Sequence, residues 1–340
     1  MSTQSTGYPT LFDDETVHHE DVAECLSSLQ AFSGRYTPFL ARREQKVHLN
    51  VYMEGLVSGL ERKSIEPIAT AHGLARRPLQ HFIGEGKWSD SAVRSEMQRH
   101  VVQEIGDPEG VFVIDGSGFP KKGDDSVGVD RQWCGRLGKV DNCQLGVFLA
   151  YSAPRGCTLL DGELYLPKSW AADRARRRAA HVPRSIKFQT SWQLADNMLQ
   201  QHGPNIPHAW IVGDDEYGRP AEFRDRLADR NEQYLLEVPS NTLVRRPRSW
   251  PGRIAQWSKV AKRKTQHRAD KWERVLVRAG DKGPIEVLAF CTRVETKRKA
   301  GPPREETLLI MQTINGSQTW YFLAPRGTAL DVTKLVRVAS

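Results

Sequence analysis

Long apolar runs are missing from this 340-residue sequence. None approaches the roughly 18 residues needed to cross a bilayer. With 39% hydrophobic residues and a mean hydropathy of −0.54, a soluble protein without membrane attachment is expected. The opening Met1-Ser-Thr-Gln-Ser-Thr6 lacks the basic and apolar regions of a signal peptide. Cysteine is scarce and unpaired. Cys25, Cys134, Cys143, Cys157 and Cys291 form no C-x-x-C, which argues against a zinc site or a disulfide framework. A reducing cytoplasm fits that usage. His181 and His208 have no partner pattern. Acidic residues are outnumbered, 41 against 49 Lys and Arg, for a net charge of +8 and a pI near 9.3. That balance suits either a polyanionic partner or an ordinary, modestly basic protein. The distribution says more. Arg174-Ala-Arg-Arg-Arg178, Arg245-Arg-Pro-Arg248, Lys259 to Arg268 and Lys297-Arg-Lys299 recur through one half of the chain rather than forming a single tail.

What is present begins with a polar stretch over 1–20, read as a flexible arm. Residues 21–106 carry helical periodicity (Val22, Cys25, Leu26, Leu29; then Val47, Val51, Leu56, Leu60). Within them, residues 64–83 read as a helix-turn-helix. Ile68, Ala69 and Ala71 mark a small first helix, Gly73 the turn, and Leu79, Phe82 and Ile83 the buried face of a second. Arg76, Arg77, Gln80 and His81 are left outward, facing DNA phosphates and base edges or, in a plain helical hairpin, solvent. Gly106-Asp-Pro-Glu-Gly110 punctuates the chain as a domain boundary.

Two stretches beyond it answer each other: Val111-Phe-Val-Ile-Asp-Gly-Ser-Gly-Phe119 and Ala209-Trp-Ile-Val-Gly-Asp-Asp-Glu-Tyr-Gly218. Each is a β-rich apolar run ended by an acid and glycine, the pattern of a buried strand that delivers a carboxylate to the sheet's edge. Strands are also expected at 143–151, 157–166 and 234–238, and helices at 183–203 and 219–231. The order β-β-β-α-β-α-β predicts an α/β core of RNase H-like type, a mixed sheet with flanking helices over 107–239. That arrangement puts the first and fourth strands side by side, and Asp115 beside Asp214. Paired carboxylates repel unless a cation or proton lies between them, and Mg²⁺ is a hard ion suited to such a place. The alternative is two strand-end turn formers. Residues 240–328 read as a β-rich basic insertion with strands at 274–277 and 285–291 and a hairpin about Asn315-Gly316. Lys262, Arg263 and Lys264 there suit a DNA contact or a solvated loop. An amphipathic helix starts at 329 and continues to Ser340. Trp133, Trp170 and Trp192 read as core.

The chain resembles the DDE-type transposases of bacterial insertion sequences, from about Phe39 onward. The likeness rests on Val113-Ile-Asp-Gly-Ser-Gly-Phe-Pro-Lys-Lys-Gly123, Ser126-Val-Gly-Val-Asp-Arg-Gln-Trp133, Gly138-Lys-Val-Asp-Asn-Cys-Gln-Leu-Gly-Val-Phe148, Leu164-Tyr-Leu-Pro-Lys-Ser-Trp170 and Gly213-Asp-Asp-Glu-Tyr-Gly218. It implies a DNA transposase that cleaves and joins phosphodiesters at transposon ends with Mg²⁺ or Mn²⁺. Asp115 and Asp214 are then the catalytic, metal-holding acids. Asp214 is selected over Asp215 because the family acid stands three positions before the Tyr-Gly. Lys121 and Lys122, just past Asp115, and Arg131 are candidates to hold phosphate. Partners would be the terminal repeats, target DNA and a second copy of the chain on DNA, in the bacterial cytoplasm. The family's third acid is a glutamate on the helix that follows the insertion. Here that helix begins near Leu330 and shows none before Ser340. Glu295, Glu305 and Glu306 lie in the insertion or at its edge, and Asp331 about a turn too early. The sequence therefore reads as a C-terminally truncated member: either a nuclease, or a DNA-binding remnant that regulates transposition without chemistry.

Overall fold

A computed structural model describes residues 19–248, 256–266, 271–280 and 283–340. The expected arm over 1–20 falls almost wholly outside them, as does the end of the Lys259–Arg268 run. The chain divides into two compact units, Met1–Met97 and Gln98–Ser340.

The first unit is helical: α1 (His19–Gly34), α2 (Arg43–Val57), α3 (Ile65–Ala71), α4 (Arg76–Gly84) and the start of α5 (Asp90–Ile105). The division falls inside α5, ahead of the Gly106–Gly110 turn. Leu40, Ile68, Ala69, Leu79 and Phe82 form the core. Gly73, with φ +65°, turns the chain between α3 and α4, a conformation glycine adopts without a Cβ clash. The buried stripe of α4 is narrow. Leu79 and Phe82 fill it, while Ile83, expected inward, is exposed. Ala71 is exposed too. Trp88 takes the space beside Phe82, its indole N–H donating to the Phe82 carbonyl at 3.2 Å.

In the second unit the described strands are β1 (Val111–Pro120), β2 (Asp130–Cys134), β3 (Lys139–Ala153), β4 (Gly156–Leu164), β5 (Trp210–Gly213), β6 (Tyr234–Glu237), β7 (Leu243–Arg245), β8 (Ser258–Lys259), β9 (Glu273–Gly280), β10 (Gly283–Thr296), β11 (Arg304–Thr313) and β12 (Thr319–Pro325). They form one mixed sheet in the order β2-β3-β1-β5-β6-β12-β11-β10-β7-β8, with β4 on β3 and β9 on β10. The first acid-bearing strand lies directly beside the second, parallel to it, as the RNase H-like order requires. The insertion strands do not form a separate module. β12 pairs with β6 and extends the core sheet. The near-continuous apolar run Leu308-Leu-Ile-Met311 explains this: Leu309 and Met311 pack one face, Leu308 and Ile310 the other, as in a strand buried on both sides.

The helices are α6 (Lys168–Ala172), α7 (Arg174–Ala179), α8 (Ser191–His202), α9 (Asp215–Gly218), α10 (Ala221–Asp229), α11 (Ala261–Gln266) and α12 (Val332–Ala339). Two are shorter than the sequence pattern suggests. The 183–203 stretch becomes helical only at Ser191, where Thr190 and Gln193 form a capping box. Pro220 separates α9 from α10. Trp170 is fully buried, but Trp133 is 60% exposed. It lies on β2, a sheet-edge strand, and the core reading of Trp133 is corrected here. On α12, Val332, Leu335 and Val336 pack against Trp210, Leu235 and Phe322.

A buried carboxylate ties these pieces together. Glu306 on β11 accepts from Arg224 Nε of α10 at 3.1 Å and from Tyr234 Oη of β6 at 2.7 Å, and also from Thr296 of β10. Arg224 in turn donates to the carbonyl of Gly218 at the end of α9. Glu306→Ala leaves Arg224 buried without its counter-charge. The expected loss is about 3–5 kcal/mol of unfolding free energy, read by urea denaturation. A loss below about 1 kcal/mol would show that the clamp is not holding the sheet to α10.

Candidate active site

β1 and β5 pair in register through Ile114 and Gly213, so the next residue on each strand is an acid, Asp115 and Asp214. Beyond β5 lies β6, with Gly213 opposite Leu236, so Glu237 comes next to Asp214. The chain then turns sharply into α9. Asp214 caps it, its side chain accepting the Glu216 N–H at 3.0 Å. The turn presses on β6. A Cβ on Gly218 would sit 1.7 Å from the Glu237 carbonyl oxygen, so only glycine fits.

The carboxylates here differ in how they are satisfied. Asp215 pairs with Arg219 at 3.0 Å, so its charge is spent locally. Asp115 accepts its neighbour Gly116 N–H at 2.7 Å. Glu216 lies on the Asp115 side: a side chain on Gly116 would meet Glu216 Oε2 and Tyr217 Oη, each at 3.7 Å. Partial burial, together with the charges of Glu216, Asp115 and Asp215, lifts the Asp214 pKa to about 6, against the lowering pull of the Glu216 N–H. Burial, then Asp215 and Asp214, raises Glu237 as well. The Tyr217 ring is fully buried and its hydroxyl has no hydrogen-bond partner among the described residues. Burial and the charges of Glu216, Asp214 and Asp115 hold that hydroxyl in its neutral, donating form. Asp115, Asp214 and Glu237 border a cavity of about 460 Å³, whose far wall includes Trp320, Phe322 and the last turn of α12 at Ala339 and Ser340.

Sequence reasoning missed Glu216, Tyr217 and Glu237. The Asp-Asp-Glu-Tyr-Gly run holds two of them. Glu237 becomes a neighbour only through the β5–β6 pairing. The expected phosphate ligands fall elsewhere. β1 stays extended to Pro120, so Lys121 lies roughly 20 Å along the strand from Asp115 at about 3.3 Å per residue. The closeness expected of Lys121 and Lys122 to Asp115 is therefore corrected. Both are exposed, as is Arg131 on β2. Lys264 on α11 turns inward to Thr319 Oγ1 at 2.9 Å, and Arg263 is partly buried, its pKa lowered by that burial and by Arg246. Lys262 is exposed. Arg76, Arg77 and Gln80 are exposed on α4, in the other unit. The alternative third acids are all engaged: Glu306 as above, Glu295 with Arg245 at 2.7 Å, Glu305 with Arg326 at 3.7 Å, and Asp331 as the cap of α12.

Residues 29–293 match the DDE superfamily endonuclease family, and the chain belongs to it. It also resembles a Microchaete diplosiphon protein described as "Probable transposase for insertion sequence element IS701", 30% identical over 198 residues. That match covers 56% of this chain and 48% of the relative, about half of the relative's length.

Endonucleases of this superfamily work with divalent metal ions. Among the described residues no three His, Cys, Asp or Glu side chains form a ready metal cage. The donors at Asp115 and Asp214 nevertheless fit Mg²⁺, which binds through one or two carboxylates and keeps several waters. The orphaned Tyr217 hydroxyl is a donor with an oxygen still to find.

Three outcomes follow for the metal-free protein. The raised pKa makes the Asp214 contribution to stability fully present below about pH 4 and lost as pH rises through about 6. Asp115→Asn removes one like charge and lowers the Asp214 pKa, read by carboxyl ¹³C NMR titration; an unchanged value would mean the two do not interact. Tyr217→Phe deletes an unpaired buried hydroxyl and raises the melting temperature without metal. A lower one would reveal a hydrogen bond within the protein.

Proposed function

We propose that this chain is a DNA transposase of an insertion sequence, performing metal-dependent phosphodiester cleavage and strand transfer at transposon ends. The observation that carries the reading is the pair Asp115 and Asp214, beside each other where β1 and β5 pair and without a basic partner among the described residues. They would hold Mg²⁺ or Mn²⁺, which supplies Lewis-acid stabilisation of the scissile phosphate and activation of the attacking oxygen. The chain's own residues do the rest. Asp214, whose pKa is raised to about 6 without metal, would give up its proton as a cation binds beside it. Tyr217 Oη donates to an oxygen bound at the acids. Lys121, Lys122 and Arg131 meet phosphates along the duplex away from the reacting one, Lys121 roughly 20 Å along β1 from Asp115. Lys262, with Arg263 and Lys264 on the same short helix, forms a further contact.

In this reading residues 21–106 bind DNA through Arg76, Arg77 and Gln80, residues 107–239 carry the chemistry, 240–328 extend its sheet, and 329–340 supply a helix that packs on it. The protein works as a homodimer on the terminal repeats, in the bacterial cytoplasm. Among the described residues no helix is long and apolar enough to cross a membrane.

A second reading, DNA binding without strand chemistry, is favoured by one observation. Among the described residues no three His, Cys, Asp or Glu side chains form a ready metal cage. One assay separates the two: a duplex carrying the element's ends, incubated with Mg²⁺ or Mn²⁺. Asp115→Asn and Asp214→Asn are expected to abolish cutting and leave metal-free DNA affinity unchanged or slightly tighter, since each removes a negative charge. Binding without cutting by the unaltered chain would uphold the second reading. A large loss of affinity in either variant would count against the catalytic assignment.

A further inference from the structure

A second charged feature lies away from the acids. The chain from α7 to Lys187 encloses a cavity of about 710 Å³ lined by Arg174, Arg177, Arg178, His181, Arg184 and Lys187, together with Val182 and Pro183. No carboxylate lines it. Cations gathered without counter-charge repel one another, and the repulsion is relieved by an anion.

The cleft is built rather than incidental. Arg177 Nη2 donates to the carbonyls of Pro183 at 2.9 Å and Ile186 at 2.6 Å, drawing the following segment back over α7. Arg176 stacks on the buried Trp170 ring at 3.9 Å and donates to the Asp124 carbonyl at 2.6 Å. His181 takes the left-handed conformation, φ +54°, and closes the turn after α7. Two arginines thus fix the frame. Arg174, Arg178, Arg184 and Lys187 remain exposed with their charges turned to solvent. The frame also leads toward the acids: Phe188, next to Lys187, packs edge-on against Tyr165 at 6.3 Å, and Tyr165 lies within electrostatic reach of Glu216.

We propose that this cleft is a binding site for the phosphodiester backbone of duplex DNA, holding it by Arg174, Arg178, Arg184 and Lys187 where it leads toward Asp115 and Asp214. The inference rests on the DNA-processing reading above and names a surface for it. Several separately mounted guanidinium groups, spaced along a cleft, suit a chain of phosphates better than one small anion.

The test is fluorescence anisotropy of a labelled 20-base-pair duplex with the full chain in EDTA, across a salt series. The triple variant Arg174→Ala/Arg178→Ala/Arg184→Ala should bind roughly 10- to 100-fold more weakly near 0.15 M salt, with the slope of log K against log salt shallower by about 2 to 3. A triple Arg→Lys variant should keep most of the slope. The control Arg155→Ala/Arg274→Ala/Lys334→Ala removes the same number of charges elsewhere and should change far less. An unchanged slope in the first variant, or a loss matched by the control, overturns the cleft assignment while leaving the DNA reading intact. Absence of DNA binding by the unaltered chain overturns both. Displacement of the DNA by an equal-length RNA duplex at lower concentration overturns the choice of DNA. If circular dichroism shows that the triple variant is unfolded, Arg178→Glu at its exposed position gives the same reading.

Discussion

Parallel pairing of β1 with β5 holds like charges next to each other, and much of the second unit is arranged to sustain that. Unneutralised carboxylates just past the β1–β5 pairing push apart, and the backbone ladder from Val111 to Ile114 resists the push. On the other side, α9 is pinned to β6 by the Gly218 approach to the Glu237 carbonyl. Glu306 and Arg224 fasten α10, β6 and the α9 carbonyl end to β11. The acids thus sit on rigid elements, which is what a site needs if charge repulsion is not to be relieved by movement.

Neutralisation sorts the acidic residues into two sets. Asp196 is held by Arg226 and Arg230 at 2.9 and 2.7 Å. Asp215, Glu295, Glu305 and Glu306 each have an arginine. These acids hold the fold. No such arginine meets Asp214, whose pKa is raised rather than lowered. The motif spacing separates Asp214 from Asp215 by position alone; Arg219 supplies a physical reason for the same choice. The sorting also removes the insertion glutamates and Asp331 from the search for a third acid, because each is committed to a strand or a helix end.

The acid-bearing strands were legible because each compresses its signal into a few residues: a buried apolar run, then an acid, then glycine. The side-by-side placement followed from element order. What was not legible depends on where strands stop and which strands meet. β1 reads as a run ended by Asp115 and the glycine after it, yet its pairing with β3 continues to Pro120, which carries Lys121 away from Asp115. Glu237 looks like the end of an ordinary strand until β5–β6 pairing sets it beside Asp214. Trp133 has a core residue's composition on an edge strand, where one face meets water. β12 joins β6 through contacts far apart in sequence, which local pattern does not encode. Tyr217 reads as a motif residue, and only burial shows that its hydroxyl is unanswered.

The two sets of unanswered charge have opposite signs and one common complement. Carboxylates on β1 and β5 call for cations, and the arginines after α7 call for anions. A single polyanion that brings divalent ions to its phosphates satisfies both at once. Neither set alone selects that partner, since an acid pair also suits a free metal ion and a basic cleft also suits a small anion. Their coexistence in one compact unit, linked through Lys187, Phe188, Tyr165 and Glu216, is the stronger constraint. Together they suit a ligand long enough to lie across both, as a nucleic acid backbone is and a mononucleotide is not.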